Sequence, residues 1–257
     1  MLSFKDIKFL LKNKKARDTQ GLFVAEGRKL FLEAPKEDVE QVLMSKTFAG
    51  MHPEYIGMLK EHTDVIADIE DARFASLTDT KTPQGILTVI RKPHFDLQQT
   101  LAGSCPLIMI LEDLQDPGNV GTILRTAEAA GVTAVFLTEN CADLYSPKAT
   151  RATMGSIYRV PHFHVSNAPE LIEWLQEQCG VTSYAAHLRG TRSYTDCTYR
   201  KGSAFVIGNE GNGITDAAAE ACGELIRIPM MGQVESLNAA MAAGVLMFEA
   251  QRQRRAL

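Results

Sequence analysis

From residue 107 onward the chain alternates short apolar runs with helical segments, and that alternation limits the fold more than any other feature. Leu107 to Leu111 reads as a strand, Asn119 to Ala130 as a helix stopped by Gly131, and Val132 to Leu137 as the next strand, which makes one βαβ unit. The pattern continues: Ser146 and Pro147 open a helix, Phe163 to Ser166 is a strand, and Asn167 caps a helix that runs to Gln178 and ends at Gly180. Val181 to His187, Ala204 to Ile207 and Glu224 to Ile228 supply further strands, with Thr215 capping a helix between the last two. Strands separated by helices are joined by crossovers, so the expected fold is α/β, a parallel sheet covered on both faces.

The first hundred residues are less regular. Phe4, Ile7, Leu10 and Leu11 recur at helical spacing over Leu2 to Leu11, and Asn13 to Gln20 breaks the pattern. Gly21 to Gly27 reads as a strand, Arg28 to Ala34 as a helix, Asp38 to Met44 as a strand, His52 to Glu61 as a helix, and Thr82 to Ile90 as a turn leading into a strand. This predicts a small mixed α/β domain. Arg91 to Pro106 has the polar, Pro-containing character of a linker, so the boundary is expected near residue 100, with domains at 1–100 and 101–257.

Chemistry narrows the setting. No apolar run approaches the roughly 18 residues of a membrane span, and Met1 to Gln20 alternates Lys with apolar residues where a signal peptide would hold a continuous apolar core. Five cysteines are scattered, odd in number and never in a C-x-x-C pair, which argues for a reducing cytoplasm and against a structural zinc site or disulfide framework. The net charge of −4 hides an asymmetry: residues 1 to 30 hold eight Lys or Arg against three acids, a local excess of +5 that leaves −9 for the rest. A basic arm on an acidic body suits a protein that meets phosphate with one face. A solvated helix face with no partner is the other reading of those charges.

Three loops follow strands and carry the candidate chemistry. Glu112 to Gly131 places Asn119 at a helix start and Arg125 about a turn and a half inside, with Gly118 and Gly121 nearby. A helix N-terminus after glycines is a ready anion site, and arginine adds a planar donor fork for phosphate. The spacing excludes a dinucleotide fingerprint, which needs G-x-G-x-x-G directly after the strand. Ala204 to Ile214 sets Gly208, Gly211 and Gly213 around Asn209 and Glu210, a loop fit to wrap backbone around a flat ligand. In the third, Pro229 to Glu235 ends the strand, and Ser236 is expected to cap a helix running to about Arg252. There Ile228, Met230 and Leu237 would line an apolar slot, and Ala239, Ala240, Ala242, Ala243 and Gly244 predict a crowded crossing or a subunit contact.

Together DPGNVGTILRTAEAAG, VIGNEGNGI and IPMMGQVESLNAAMAAG, in that order, resemble the three motifs of the SpoU (TrmH) family of RNA ribose 2′-O-methyltransferases, within the SPOUT superfamily. The resemblance covers residues 107 to 252. KNKKARDTQGLFVAEGRKL and TPQGILTVI are similar to the opening and close of the L30e-like substrate-binding domain often fused to the ribosomal RNA branch. The resemblance implies a SPOUT domain with a C-terminal trefoil knot, S-adenosylmethionine bound in that knot, and a homodimer whose partner subunit completes the site. By position, the cofactor contacts fall on Leu137, Thr138, Gly208, Ile228, Met230 and Leu237. The catalytic set falls on Asn119, Arg125, Glu210, Ser236 and Asn238. Only AAMAAG after Asn238 departs from the pattern, since many relatives carry a Val or Ser there.

The implied reaction asks for little more. S-adenosylmethionine is an activated electrophile, so the protein must place a ribose 2′-hydroxyl in line with the methyl group and help remove its proton; no metal is required. Positioning can supply roughly 7 to 11 kcal/mol of the barrier reduction. The family usually assigns proton removal to the arginine, but a guanidinium with a pKa of about 12.5 or higher is a poor base. Arg125 is therefore expected to hold the adjacent phosphate and stabilise alkoxide charge. RNA is the expected partner, through Lys12, Lys14, Lys15, Arg17 and Arg28. Large-subunit (23S) ribosomal RNA is favoured by the first domain, with transfer RNA or a catalytically silent RNA-binding role as alternatives.

Overall fold

The computed structural model describes residues 1–58 and 64–255. By contacts the chain forms two compact units, Met1–His94 with Asp143–Tyr158, and Phe95–Ala142 with Arg159–Leu257.

The first unit is a four-stranded sheet of β1 (Leu22–Glu26), β2 (Val39–Ser45), β3 (Asp64–Ile69) and β4 (Ile86–Arg91) in the order β1-β4-β2-β3. β4 is antiparallel to both neighbours and β2 is parallel to β3. The helix Phe4–Lys12 turns Ile7 and Leu10 inward onto Val24, Leu43 and Leu87. It does not end the helical structure, as the sequence reading expected: Asn13 accepts the Ala16 N–H at 3.0 Å and caps a second helix, Lys14–Gln20. The expected helix from His52 is present as Pro53–Gly57, and residues 59–61 of that expectation lie outside the described residues.

The excursion Asp143–Tyr158 belongs to this unit because its contacts are there. Tyr145 packs on Phe23 with centroids 5.1 Å apart, the Tyr158 hydroxyl donates to the Leu30 carbonyl at 3.1 Å, and Arg151 pairs with the buried Glu26 at 3.1 Å. Arg17 corrects an expectation. The residue is 4% exposed, and its guanidinium donates to the Leu10 and Leu11 carbonyls and binds Asp143 through Nε at 2.9 Å. With four of its five N–H donors engaged within the unit and the residue buried, Arg17 is a structural cation and is removed from the phosphate-binding set.

The second unit is a seven-stranded parallel sheet of β5 (Leu107–Leu111), β6 (Ala134–Thr138), β7 (His162–Val165), β8 (Thr182–Ala186), β9 (Arg192–Ser193), β10 (Ser203–Ile207) and β11 (Glu224–Arg227). Its order is β7-β6-β5-β10-β8-β11-β9, and every pairing is parallel. The chain runs outward from β5 through β6 to β7 and then returns to fill the other side, so the order reverses between β5 and β10. At such a switch point the loops leaving the carboxyl ends diverge and leave a crevice. Helical turns also occupy the segment expected to be a linker: Asp96 caps Leu97–Leu101, whose Leu97 and Leu101 pack against the core of this unit.

The final helix, Ala239–Arg255, explains its alanines. Ala239, Ala240, Ala243 and Ala250 are buried, and a Cβ at Gly244 would lie 3.7 Å from the Thr126 methyl of the helix Pro117–Ala130. The two helices pack against each other through these small residues. At its far end Arg254 donates to the carbonyls of Cys105, Pro106, Tyr199 and Lys201, while Gln253 bonds Tyr199 N–H and the Cys197 carbonyl.

Candidate functional site

The carboxyl ends of β5 and β10 are joined where Glu112 N–H donates to the Ile207 carbonyl at 2.9 Å. Beyond β5 the chain turns sharply at Asp113, whose φ of +55° is unusual for a residue with a side chain. Thr138, at the end of β6, holds that turn: its hydroxyl accepts the Asp113 N–H at 2.9 Å and donates to the Asp113 carboxylate at 2.6 Å. The helix then begins at Pro117, with Asp116 as its cap, accepting the Asn119 N–H at 3.0 Å. The sequence reading started this helix at Asn119, although the pair Asp116-Pro117 is a cap and first-turn signal that would have set it correctly. Asn119 is thus the third residue inside the helix, which frees its side chain for the neighbouring loops.

Glu210 gathers the first two loops. Its carboxylate accepts Gln115 N–H at 2.9 Å, Asp116 N–H at 3.0 Å and the Asn119 amide at 2.9 Å. Partial burial pushes the Glu210 carboxyl up, but the donors from Gln115, Asn119 and Asp116 outweigh it and hold the group below its ordinary range. Behind Glu210, Asn209 donates to the Asp113 carbonyl at 2.8 Å and accepts the Gly211 and Asn212 N–H groups. Gly208 is required by close approach, since a Cβ there would fall 2.2 Å from the Gly213 carbonyl carbon. Asn119 then reaches the third loop: its Oδ1 accepts the Asn238 amide at 3.0 Å.

Asn238, not Ser236, caps the last helix, its Oδ1 accepting the Ala240 N–H at 2.9 Å. Ser236 stands two residues outside, exposed. Residues 229 to 236 make no hydrogen bond among the described residues, so this loop offers free main-chain donors and acceptors. Ile228 and Met230 are half-buried and Leu237 is 37% exposed. Arg125 is exposed on the helix Pro117–Ala130, and its side chain has no hydrogen bond or ion pair among the described residues. Leu137 is fully buried within the sheet, and the Thr138 hydroxyl is committed to Asp113.

Of the proposed catalytic residues, Asn119, Glu210 and Asn238 are therefore brought into one hydrogen-bonded chain, while Arg125 and Ser236 stand outside it. Sequence reasoning missed a polar cavity of about 440 Å³ at the switch point, lined by Glu112, Asp113, Gln115, Asn140, Asn209, Asn212, Gly213 and Thr215. Its acidic residues are spoken for: Glu112 accepts the Thr215 N–H and hydroxyl at 2.9 and 2.7 Å, and Asp113 is held by Thr138 and Asn140. The acidic pair after β5 and the glycine loop after β10 were visible in the sequence, but not that the strand order would face them across one crevice.

A parallel α/β sheet with its polar side chains gathered from three strand-end loops defines a ligand-binding enzyme-like domain. Comparison gives the family. Residues 106–248 match the SpoU rRNA Methylase family and residues 4–88 match the MRM3-like substrate binding domain. The chain belongs to the SpoU rRNA methylase family. It is 32% identical over 253 residues to the 23S rRNA (guanosine(2553)-2'-O)-methyltransferase RlmP of Bacillus subtilis, covering 93% of this chain and 92% of the relative. Its structure is similar to that of the AdoMet-bound rRNA methyltransferase from Sinorhizobium meliloti, with a TM-score of 0.84, 31% identity, and 97% and 94% of the two chains covered. It is also similar to AviRb from Streptomyces viridochromogenes in complex with AdoMet, with a TM-score of 0.88, 26% identity, and 98% and 97% covered.

Proposed function

We propose that the chain methylates a ribose 2′-hydroxyl in 23S ribosomal RNA, using S-adenosylmethionine and acting as a homodimer in the cytoplasm. The observation that carries this reading is the hydrogen-bonded chain from Glu210 through Asn119 to Asn238, which ties three strand-end loops together.

The loops fit the cofactor. The backbone of Gly208 and Gly213 approaches closely enough to form a thin wall, and residues 229 to 236 leave main-chain groups without partners between half-buried Ile228 and Met230 and the exposed Leu237. Those residues would hold it, and it would supply a methyl group already activated for transfer. Leu137 and Thr138 contribute by shaping the loop that follows β6. Arg125 would hold an RNA phosphate and offset charge on the ribose oxygen, since a guanidinium binds oxyanions through paired N–H donors. Asn119 and Asn238 fix the three loops to one another, and Ser236 contributes a hydroxyl at the third loop.

The dimer and the knot belong to the same proposal. Met231, Val234, Leu237, Met241 and Phe248 are exposed by 37 to 100%, an apolar set around the third loop that a second copy would cover. A knot is supported by the approach of Gly190 to the Ile226 backbone, where a Cβ would lie at 2.6 Å, and by the bonds that tie Gln253 and Arg254 to residues 197–201. All five cysteines are free thiols, which suits a reducing compartment. Purified protein with labelled S-adenosylmethionine should methylate 23S ribosomal RNA at one nucleotide, and that 2′-O-methyl mark should be missing from a deletion strain. Full marking of ribosomal RNA in that strain, with transfer of label only to transfer RNA, would move the substrate to the other class.

A further inference from the structure

The first helix carries one feature that the core does not explain. Its inward side is used up by Ile7 and Leu10, both fully buried, with Phe4 and Leu11 packed beside them. Its outward side presents Lys5, Lys8 and Lys12 at i, i+3 and i+7, and among them Phe9, a large aromatic that is 53% exposed. Lys14 and Lys15 extend the same charge into the next helix. The two acids of this segment are engaged elsewhere. Asp6 closes the capping box with Ser3, and Asp18 holds Lys92 at 2.6 Å. Lys8, Lys12, Lys14 and Lys15 have no hydrogen-bond or ion-pair partner among the described residues.

We infer that this face binds unpaired RNA, with Phe9 stacking on a base while the lysines meet the flanking phosphates. The inference rests on the RNA-modifying role proposed above and adds which kind of RNA the first unit grips. A duplex offers lysines their phosphates but gives Phe9 no open base face. A single strand supplies both, in the alternation of aromatic and basic groups that single-strand binders use. A membrane surface is a poorer match, because the apolar side of this helix is already consumed by the core and Phe9 alone would have to insert.

The test uses the full chain with a fluorescent, unstructured single-stranded RNA of about 12 nucleotides, within the usual site size, and a blunt-ended RNA duplex of equal length. Phe9→Ala should weaken single-strand binding by about 5- to 150-fold, the loss of one base stack, with an unchanged salt slope and unchanged duplex affinity. Phe9→Trp should restore binding. Lys5→Gln, Lys8→Gln and Lys12→Gln together should flatten the salt slope by about 2, at roughly 0.7 per phosphate contact. A folded Phe9→Ala protein that binds the single strand as the parent does would overturn the inference, as would loss of duplex and single-strand binding in equal measure. The functional reading is tested separately by methyl transfer from the parent protein: activity on ribosomal RNA with no effect of Phe9→Ala sinks this inference alone.

Discussion

Asn238 donates its side-chain amide to Oδ1 of Asn119 at 3.0 Å, from 119 positions further along the sequence. The direction of that bond is fixed at both ends. Glu210 is an acceptor, so Asn119 must turn its NH₂ toward it and leave only Oδ1 for Asn238. Asn238 must in turn spend its own Oδ1 on the Ala240 N–H, leaving its NH₂ for Asn119. The result is a one-way relay of donors from the start of the last helix to the loop after β10.

Asn238→Asp separates the two tasks of that residue. Aspartate caps a helix as well as asparagine, but it cannot donate to Asn119. The thermal midpoint should stay within a few degrees of the parent, while methyl transfer falls by about 10²-fold, the scale for small misplacements of catalytic groups. Asn119→Ala should cost a similar amount, and the double variant little more, because residues acting as one unit are not additive. Fully additive losses in such a cycle would separate the two roles.

Glu210 gives a pH signature with a defined sign. Its folded pKa is lowered from the ordinary 4.5, so the anchoring of Gln115 and Asp116 is complete above about pH 4.5 and is lost as pH falls through the lowered value. The amide resonances of Gln115 and Asp116 should titrate together with a midpoint below 4.5, and Glu210→Gln should abolish that transition. A midpoint above the ordinary glutamate value would contradict anchoring by Gln115, Asp116 and Asn119.

Arg125 is exposed and unpaired among the described residues, so Arg125→Ala should change stability by no more than about 0.5 kcal/mol and leave S-adenosylmethionine affinity intact while abolishing turnover. Leu237→Arg should do the reverse, losing the cofactor in a folded protein. If the partner subunit completes each site, a purified heterodimer of the two variants should recover up to half of the parent activity. An inactive heterodimer would assign a complete site to each chain.

Arg17 belongs to stability and not to RNA binding. Arg17 and Asp143 are 5% and 11% exposed in their side chains, and removing one member of a buried ion pair typically costs about 3 to 5 kcal/mol. Arg17→Ala should therefore lower the urea midpoint markedly, whereas Lys12→Gln, Lys14→Gln and Lys15→Gln together should leave it nearly unchanged and weaken RNA binding. Equal stability of the Arg17→Ala protein would count against the buried pair.

Much of this was legible in residues 107 to 228, because strand and helix periods and their caps are local properties. Ser146, Asn167 and Thr215 each cap the helix expected of them. Local signals failed where two were in competition. At the last helix both Ser236 and Asn238 have capping side chains, and packing of the alanine-rich turn against Pro117–Ala130 decides for Asn238. Arg17 looked like its neighbouring lysines because burial is not written in residue type. Its partner Asp143 lies 126 positions away in the sequence, and only the folding of Asp143–Tyr158 into the first unit makes that cation internal. Sequence also supplied the residues of the site, Asn119, Glu210 and Asn238, but not their order. That order comes from a parallel sheet whose strand sequence reverses between β5 and β10, because only long-range pairing brings loops distant along the chain to one carboxyl edge.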